Sequence, residues 1–222
     1  MIDLSRRGAV FILAMQAGEN RFNRPFVAAL SGALDEVEKS SGAAALVTTG
    51  TDKFFSNGLD LDWLMTTGAS EGPAFIADFL ALLGRFLAVP VPTAAAINGH
   101  AFAGGGMFAL THDFRVMRAD RGFFCLPEID LGMPLAPGMN ALITGKLATR
   151  VATDLLLTGR RVGGEEAVRL GIVDEAVPAE QVLERAIARV EPLAAKDRAT
   201  YSALKRGLFG AAETLLRQGA IR

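Results

Sequence analysis

The sequence predicts an α/β fold in which parallel strands are connected by helices. Short apolar runs of strand length, at 10–15 and 44–50, are separated by a stretch with helical periodicity at 24–39. The same alternation returns further along the chain, which is typical of parallel sheets with helical crossovers. Half of the 222 residues are hydrophobic, enough to build one sizeable core. The periodicity leaves open whether the sheet is doubly wound, a barrel or a spiral.

The predicted elements follow one another in a regular order. The first helix carries apolar residues at helical spacing on one side, at Phe26, Leu30, Leu34 and Val37. A second helix is predicted from 73 to 88, and 92–97 is a buried strand that enters a glycine run. The alternation continues with a helix near 106–112, apolar runs at 114–117 and 122–126, a short helix at 164–171 and an extended segment at 172–174. From residue 179 onward the composition is helical.

Charge and cysteine content exclude several classes of function. Lys and Arg total 23 against 24 Asp and Glu, a net charge of -1 without a cationic block, so neither nucleic acid nor a membrane surface is expected as a partner. Apolar stretches are interrupted before the roughly 18 residues that a membrane span needs. The only cysteine, Cys125, has no partner for an internal disulfide, and no zinc pattern exists. The first residues lack a secretory signal. We therefore expect a cytoplasmic protein without a metal.

Two glycine-containing segments, 54–61 and 98–106, lie where a predicted strand leads into a helix. Backbone N–H groups at such positions are left unpaired and can bind developing negative charge, and two that converge make an oxyanion hole. Glycine there also serves tight turns or close packing. Neither segment is a P-loop, because no Gly-Lys-Ser/Thr follows, and no GxGxxG follows the first strand. A nucleotide-binding fold is therefore disfavoured.

Four motifs, in order, resemble those of the enoyl-CoA hydratase/isomerase (crotonase) superfamily. Residues 54–61 resemble its F-S-x-G-x-D-L segment, and 92–113 resemble its central A-x-x-G-x-x-x-G-G-G…D segment. Residues 127–132 match P-E-x-x-x-G, and 163–174 match A-x-x-x-G-L-V-D. Within the superfamily, 54–61 and 109–122 are most similar to monofunctional 3,2-enoyl-CoA isomerases of the short plant type. The resemblance covers nearly the whole chain and fades in its last few dozen residues.

The resemblance implies a fold, a substrate and a set of site residues. The fold is a spiral of ββα turns, here 1–178, with two roughly perpendicular sheets, followed by a helical C-terminal region, here 179–222. The substrate is an acyl-CoA, so coenzyme A arrives as part of the substrate and no separate cofactor is implied. The oxyanion hole maps to the backbone N–H groups of Leu59 and Gly105. The residues assigned to the substrate pocket are Asn57, Gly58, Asp60, Trp63, Gly104 and Phe108.

The predicted reaction depends on two positions. Hydratases of the superfamily carry one glutamate shortly after the glycine run and a second in the P-E segment, whereas this chain has Phe108 at the first position and Glu128 at the second. One carboxylate suffices for isomerisation, in which a base takes a proton from C2 of a 3-enoyl thioester and returns it at C4. We therefore predict an isomerase with Glu128 as its acid and base. The apolar neighbours of Glu128 should raise its pKa by desolvation.

Two other functions stay open. One is a different crotonase reaction on an acyl-CoA, such as weak hydration or thioester hydrolysis. The other is an acyl-CoA-binding protein without catalysis, which the retained Glu128 and the intact glycine run disfavour. The resemblance also implies a homotrimer or a dimer of trimers, although the C-terminal region of this chain is short.

Several further residues have two interpretations each. His100 borders a loop that could reach the pocket, and His112 fits buried hydrogen bonding better than catalysis. Lys205 and Arg206 could meet the phosphates of coenzyme A, or lie on a solvated helix face. Cys125 has no mapped histidine partner and is not expected to be a nucleophile. Four apolar side chains could line or cover an acyl tunnel, or belong to the plain core: Trp63, Met65, Phe79 and Phe86.

Overall fold

The computed structural model describes residues 1–219 of the chain. The strands are β1 Ile2–Arg7, β2 Val10–Met15, β3 Ala45–Thr49, β4 Phe54–Ser56, β5 Thr93–Ile97, β6 His100–Phe102, β7 Phe114–Arg118, β8 Phe124–Cys125 and β9 Glu175–Val177. The helices are α1 Arg24–Lys39, α2 Leu61–Met65, α3 Gly72–Ala88, α4 Gly104–Thr111, α5 Glu128–Leu131, α6 Pro137–Lys146, α7 Thr149–Thr158, α8 Gly164–Arg169, α9 Val182–Val190 and α10 Arg198–Gln218.

The strands form two sheets. One sheet has six strands in the order β1-β2-β3-β5-β7-β9, and the other has three in the order β4-β6-β8. All pairs are parallel except the hairpin β1-β2. Each of the three repeats that begin at β3, β5 and β7 therefore adds one strand to the large sheet and the next strand to the small sheet before helical structure follows. This is the predicted ββα alternation, and the hairpin strand β1 is an element that the sequence analysis did not predict.

Apolar side chains bury both faces of the large sheet. The main core lies between the sheets and helices α1, α3, α4 and α6, and a smaller cluster lies between β2, β3, β5, β7 and α9. Strand β5 reads Thr-Ala-Ala-Ala-Ile and is buried along its whole length. Small side chains there let layers pack on both faces of the sheet, as expected for a parallel sheet covered on each side.

The predicted C-terminal region contains α9 and α10, while residues 220–222 lie outside the described part of the chain. Helix α10 packs against α3 and α6 of the same chain. The contact with α6 is close, because a Cβ on Gly138 would come within 2.7 Å of the Leu216 nitrogen. Within 1–219, no helix is both long and apolar enough to cross a membrane.

Candidate active site

The small parallel sheet carries the three principal predicted site residues at one edge. Leu59 follows the end of β4 at Ser56, Gly105 follows the end of β6 at Phe102, and Glu128 follows the end of β8 at Cys125. Each lies three residues beyond its strand. Because adjacent parallel strands end at the same edge, these residues converge where open α/β sheets commonly bind ligands.

The N–H of Leu59 faces away from Phe22, the residue that is paired with Leu59. Phe22 forms an isolated parallel bridge with Leu59, in which the Phe22 N–H donates to the Gly58 carbonyl and the Asp60 N–H donates to the Phe22 carbonyl, each at 2.8 Å. The bridge uses the groups on either side of Leu59 and leaves its own N–H on the opposite side. That N–H donates to no protein group among residues 1–219.

The second predicted donor, the N–H of Gly105, lies in the first turn of α4. The Met107 N–H closes that turn onto the Ala103 carbonyl at 3.0 Å, and the Gly105 N–H has no protein acceptor within the described chain. Unpaired N–H groups at a helix start carry the positive end of the helix dipole. Ala103, directly before the helix, has φ 49° and ψ -123°, a conformation that L-residues rarely adopt. Backbone strain is therefore present beside the candidate oxyanion site.

Glycines let the two donor segments approach each other. A Cβ on Gly105 would overlap the carbonyl of Ser56, so no other residue fits without movement of the backbone. Gly58 has φ +81°, and a Cβ there would lie 3.0 Å from the Cβ of Ala103. The turn after β4 thus lies directly against the start of α4.

Glu128 is a buried carboxylate with one unpaired oxygen. It is 9% exposed, and its Oε2 has no hydrogen-bond partner among the described residues. Burial raises the pKa of Glu128 from its ordinary value of 4.5 to about 7, the direction predicted from its apolar neighbours. The side chain can therefore hold or release a proton near neutral pH.

Leu59 and Glu128 border an apolar cavity of about 120 Å³, whereas Gly105 is not among its lining residues and only its neighbour Gly104 lies on the wall. Of the residues that the structure describes on its wall, Glu128 alone is ionisable. The remaining wall residues are Asn57, Leu59, Leu61, Ile76, Phe79, Ala103, Gly104, Met107, Leu131, Met133, Pro134, Leu135, Ala136 and Met139. An apolar cavity with one carboxylate on its wall and two unpaired amides at or beside that wall can remove a proton from a carbon acid and stabilise the resulting oxyanion.

The structure places only some of the predicted pocket residues on this wall. Asn57 and Gly104 line the cavity, whereas Gly58 lies behind it against α4. Asp60 caps α2 by accepting from the Trp63 N–H at 3.1 Å. The Trp63 ring packs on Phe75, with centroids 5.1 Å apart, and does not reach the wall.

Phe108 is also placed differently from the prediction. Its side chain is fully buried in the core, with ring centroids 4.7 Å from Phe86 and 5.6 Å from Phe22. Met107 lines the cavity instead. Successive helical residues point about 100° apart, so the two neighbours on α4 face different surroundings. Sequence spacing identified the helix but not which residue faces the cavity.

The acyl-tunnel candidates divide in the same way. Phe79 lines the cavity, Phe86 belongs to the core, and Met65 is 72% exposed. The sequence analysis did not single out the wall segment 133–139, which directly follows the P-E motif. Its apolar residues interrupted by prolines were the available signal.

The remaining titratable candidates lie away from the cavity wall. His112 is fully buried, and its Nε2 lies 2.8 Å from the Thr48 hydroxyl and its Nδ1 lies 3.1 Å from the Phe108 carbonyl. Burial lowers the pKa of His112 to about 3, so the ring is neutral and its predicted hydrogen-bonding role is confirmed. His100 packs among Phe54, Phe102 and Phe123.

Neither interpretation of Lys205 was right. Its side chain is buried, and its Nζ lies 2.9 Å from Asp113 Oδ1, so it neither projects from a solvated face nor is free to meet phosphates. Arg206 is exposed. Burial raises the pKa of Cys125 to about 11, which agrees with an inert thiol. No group of three or more potential metal ligands occurs within the described residues.

The chain is similar to several known proteins in sequence and in fold. The family model described as "Enoyl-CoA hydratase/isomerase" matches residues 6–220. The Arabidopsis thaliana proteins named enoyl-CoA delta isomerase 3 and enoyl-CoA delta isomerase 2, peroxisomal, are 39% and 38% identical, each over 94% of this chain and 92% of the relative. The solved apo structure of an enoyl-CoA isomerase from Mycobacterium tuberculosis has a TM-score of 0.89 and 26% identity, covering 98% of this chain and 95% of that one.

Proposed function

This chain belongs to the enoyl-CoA hydratase/isomerase family, and from that premise we propose that it moves the double bond of 3-enoyl-CoA thioesters to the 2-position. The proposal draws support from the two Arabidopsis relatives, both of which are named as enoyl-CoA delta isomerases. The substrate supplies the coenzyme A, so the proposed reaction uses no separate cofactor.

In the proposed mechanism, the ionised Glu128 takes a proton from C2 of the substrate. The electron pair of that C–H bond first forms a C1–C2 double bond, and the C1–O pair moves onto the oxygen. When Glu128 returns the proton to C4, the C3–C4 pair takes it, the C1–C2 pair becomes the new C2–C3 double bond, and the carbonyl is restored. Between the two transfers, the negative charge is delocalised onto the thioester oxygen as an enolate. The N–H groups of Leu59 and Gly105 stabilise that oxygen, and in a dry site such donors contribute a few kcal/mol.

The observation that carries isomerisation over hydration is the single ionisable side chain on the described cavity wall, Glu128. Addition of water requires one group to hold and activate the water and another to deliver a proton. Here Met107 faces the cavity and Phe108 the core, in the helical turn where hydratases place the additional carboxylate. One carboxylate can serve isomerisation because it takes and returns the same proton.

The acidity of Glu128 suits both halves of that cycle. With a pKa of about 7, the carboxylate is a stronger base than an ordinary glutamate and its protonated form is a usable acid near neutrality. The apolar wall keeps water away from the enolate, which favours return of the proton to carbon.

The deciding experiment compares wild type with Glu128→Gln on 3-enoyl-CoA substrates of several chain lengths. We expect the variant to lose at least about 100-fold in kcat, because the amide cannot accept the C2 proton. Glu165→Gln, the same change at an exposed glutamate in α8, is the matched control and should retain full activity. Retained activity in Glu128→Gln would remove this residue from the mechanism. A wild type that hydrates 2-enoyl-CoA or hydrolyses saturated thioesters, but does not isomerise 3-enoyl-CoA, would overturn the isomerase proposal.

We further propose that the protein assembles as a homotrimer or a dimer of trimers and works in the cytoplasm. Helix α10 exposes Leu204, Leu208 and Leu215 at helical spacing, with exposed fractions of 64%, 74% and 38%. Such a stripe is suited to burial between subunits. Light scattering on the purified protein would test the assembly, and a monomeric mass would contradict it. Two Arabidopsis relatives, enoyl-CoA delta isomerases 1 and 2, carry "peroxisomal" in their names, which concerns those proteins.

A further inference from the structure

Asn20 is a fully buried polar residue outside the motifs identified from the sequence. It lies between β2 and α1 with φ +50°, a left-handed conformation that asparagine tolerates better than most residues. Its Oδ1 accepts from the Ala17 N–H at 2.8 Å. Its Nδ2 donates to the carbonyls of Phe54 and Phe55 at 3.3 and 3.1 Å. The side chain therefore ties the 17–20 segment to strand β4.

Ser56, the last residue of β4, continues this connection towards the candidate oxyanion site. Its hydroxyl donates to the Asn20 carbonyl at 2.7 Å and accepts from the Gly58 N–H at 3.2 Å. Gly58 is the residue directly before Leu59. The hydrogen-bonded chain from Asn20 through Ser56 thus ends at the peptide unit next to that of the Leu59 N–H.

Ser56 also contacts the second donor segment. Its carbonyl and Cβ pack against the Cα of Gly105 so closely that a Cβ on that glycine would overlap them. Ser56 itself is fully buried. One residue therefore contacts both segments that supply the candidate oxyanion donors, through its hydroxyl on one side and its main chain on the other.

We propose that Ser56, held by Asn20, is a positioning residue that sets the distance and direction between the N–H groups of Leu59 and Gly105. The inference rests on the proposed oxyanion role of those two groups. Donors contribute to catalysis only when they point at the place where the charge develops, so a small rotation of the 57–59 turn weakens the site without closing the cavity.

The test is Ser56→Ala, which removes only the hydroxyl. We expect kcat on 3-enoyl-CoA to fall at least about tenfold while KM changes less than about threefold, because the cavity wall is kept and the oxyanion is stabilised less. The spectroscopic readout is the infrared stretch of butanoyl-CoA labelled with ¹³C at its carbonyl. Binding to wild type should lower that frequency through hydrogen bonding, and binding to Ser56→Ala should lower it less.

Thr48→Val is the matched control, because it removes another buried hydroxyl that contacts His112 and lies outside the cavity wall. Both variants should lose stability, but only Ser56→Ala should lose rate and carbonyl shift. An equal loss of rate in Thr48→Val, or an unchanged rate and shift in Ser56→Ala, would overturn the proposal. If Ser56→Ala does not fold, Ser56→Cys takes its place, because a thiol keeps a weaker donor and acceptor. Its kcat and its carbonyl shift should then lie between those of wild type and complete loss. Wild-type values of both for Ser56→Cys would overturn the proposal.

The infrared measurement tests the positioning role independently of the proposed reaction, because butanoyl-CoA has no carbon–carbon double bond to move. A wild type that shifts the butanoyl carbonyl but does not isomerise 3-enoyl-CoA would sink the isomerase and leave the positioning role supported. A wild type that gives no carbonyl shift would overturn the positioning role itself.

Discussion

Glu128 and Asp113 are both carboxylates removed from solvent, yet their surroundings are opposite. Asp113 lies 2.9 Å from Lys205 Nζ and accepts from the Thr93 N–H at 2.9 Å and the Tyr201 hydroxyl at 3.0 Å. Glu128 faces an apolar cavity, and its Oε2 has no partner in the described chain. A satisfied carboxylate holds elements together, whereas an unsatisfied one keeps its basicity for a ligand.

The two surroundings also differ in what they connect. Asp113 begins the segment that leads into β7, while Tyr201 and Lys205 lie on α10. The cluster therefore attaches the last helix to the sheet. Burial lowers the pKa of Lys205, and the adjacent Asp113 opposes that shift. The comparison predicts that changes at Asp113 alter stability, and that changes at Glu128 alter chemistry.

The largest expected effect on stability is that of Asp113→Ala. It leaves the buried Lys205 ammonium without its counter-charge, and breaking one side of a buried pair costs about 3–5 kcal/mol. Urea denaturation monitored by circular dichroism measures the change. Glu128→Gln should be no less stable than wild type, since it replaces a desolvated acid, one oxygen of which has no partner in the described chain, by a neutral amide. If Asp113→Ala has the same urea midpoint as wild type, the predicted contrast between the structural Asp113 and the catalytic Glu128 is wrong.

The pH dependence of stability tests the Glu128 side of the comparison. Between pH 4.5 and about 7, the folded protein keeps a proton on Glu128 that the unfolded chain has released. Unfolding therefore becomes easier as the pH rises through this range, by at most about 3 kcal/mol once the pH exceeds the folded pKa. The free energy of unfolding of Glu128→Gln minus that of wild type should grow from pH 4.5 to 7 and then level off. A difference that stays constant with pH would contradict the raised pKa.

The smallest expected effect is that of Tyr201→Phe, which removes one of the donors to Asp113 and keeps the ion pair with Lys205. Loss of a hydrogen bond to a charged group should lower the free energy of unfolding by about 1.5 kcal/mol, the lower end of the usual range, because Asp113 keeps Lys205 and the Thr93 N–H. The kcat on 3-enoyl-CoA, measured well below the melting temperature, should not change. A loss of activity without a loss of stability would mean that the α10 attachment contributes to the active site.

Much of the fold followed from patterns that act locally. The predicted helix at 24–39 has the same bounds in the structure, because its apolar spacing and the Asn23 cap are encoded within the segment. The resemblance of the motifs at 54–61, 92–113 and 127–132 to those of the superfamily singled out Leu59, Gly105 and Glu128. In the structure each of the three lies three residues beyond a strand of the small sheet. Strand β1 carries mostly half-exposed or exposed polar residues, and it is defined by its pairing with β2.

The sequence by itself thus determined the family, the repeating alternation and the residues at the strand ends. Only the tertiary structure decided that Met107 rather than Phe108 faces the cavity, that Lys205 is buried against Asp113, and that Ser56 contacts both donor segments. The physical reason is that a side chain's surroundings depend on elements far away in the chain. Lys205 and Asp113 are 92 residues apart, and no local pattern records that they meet.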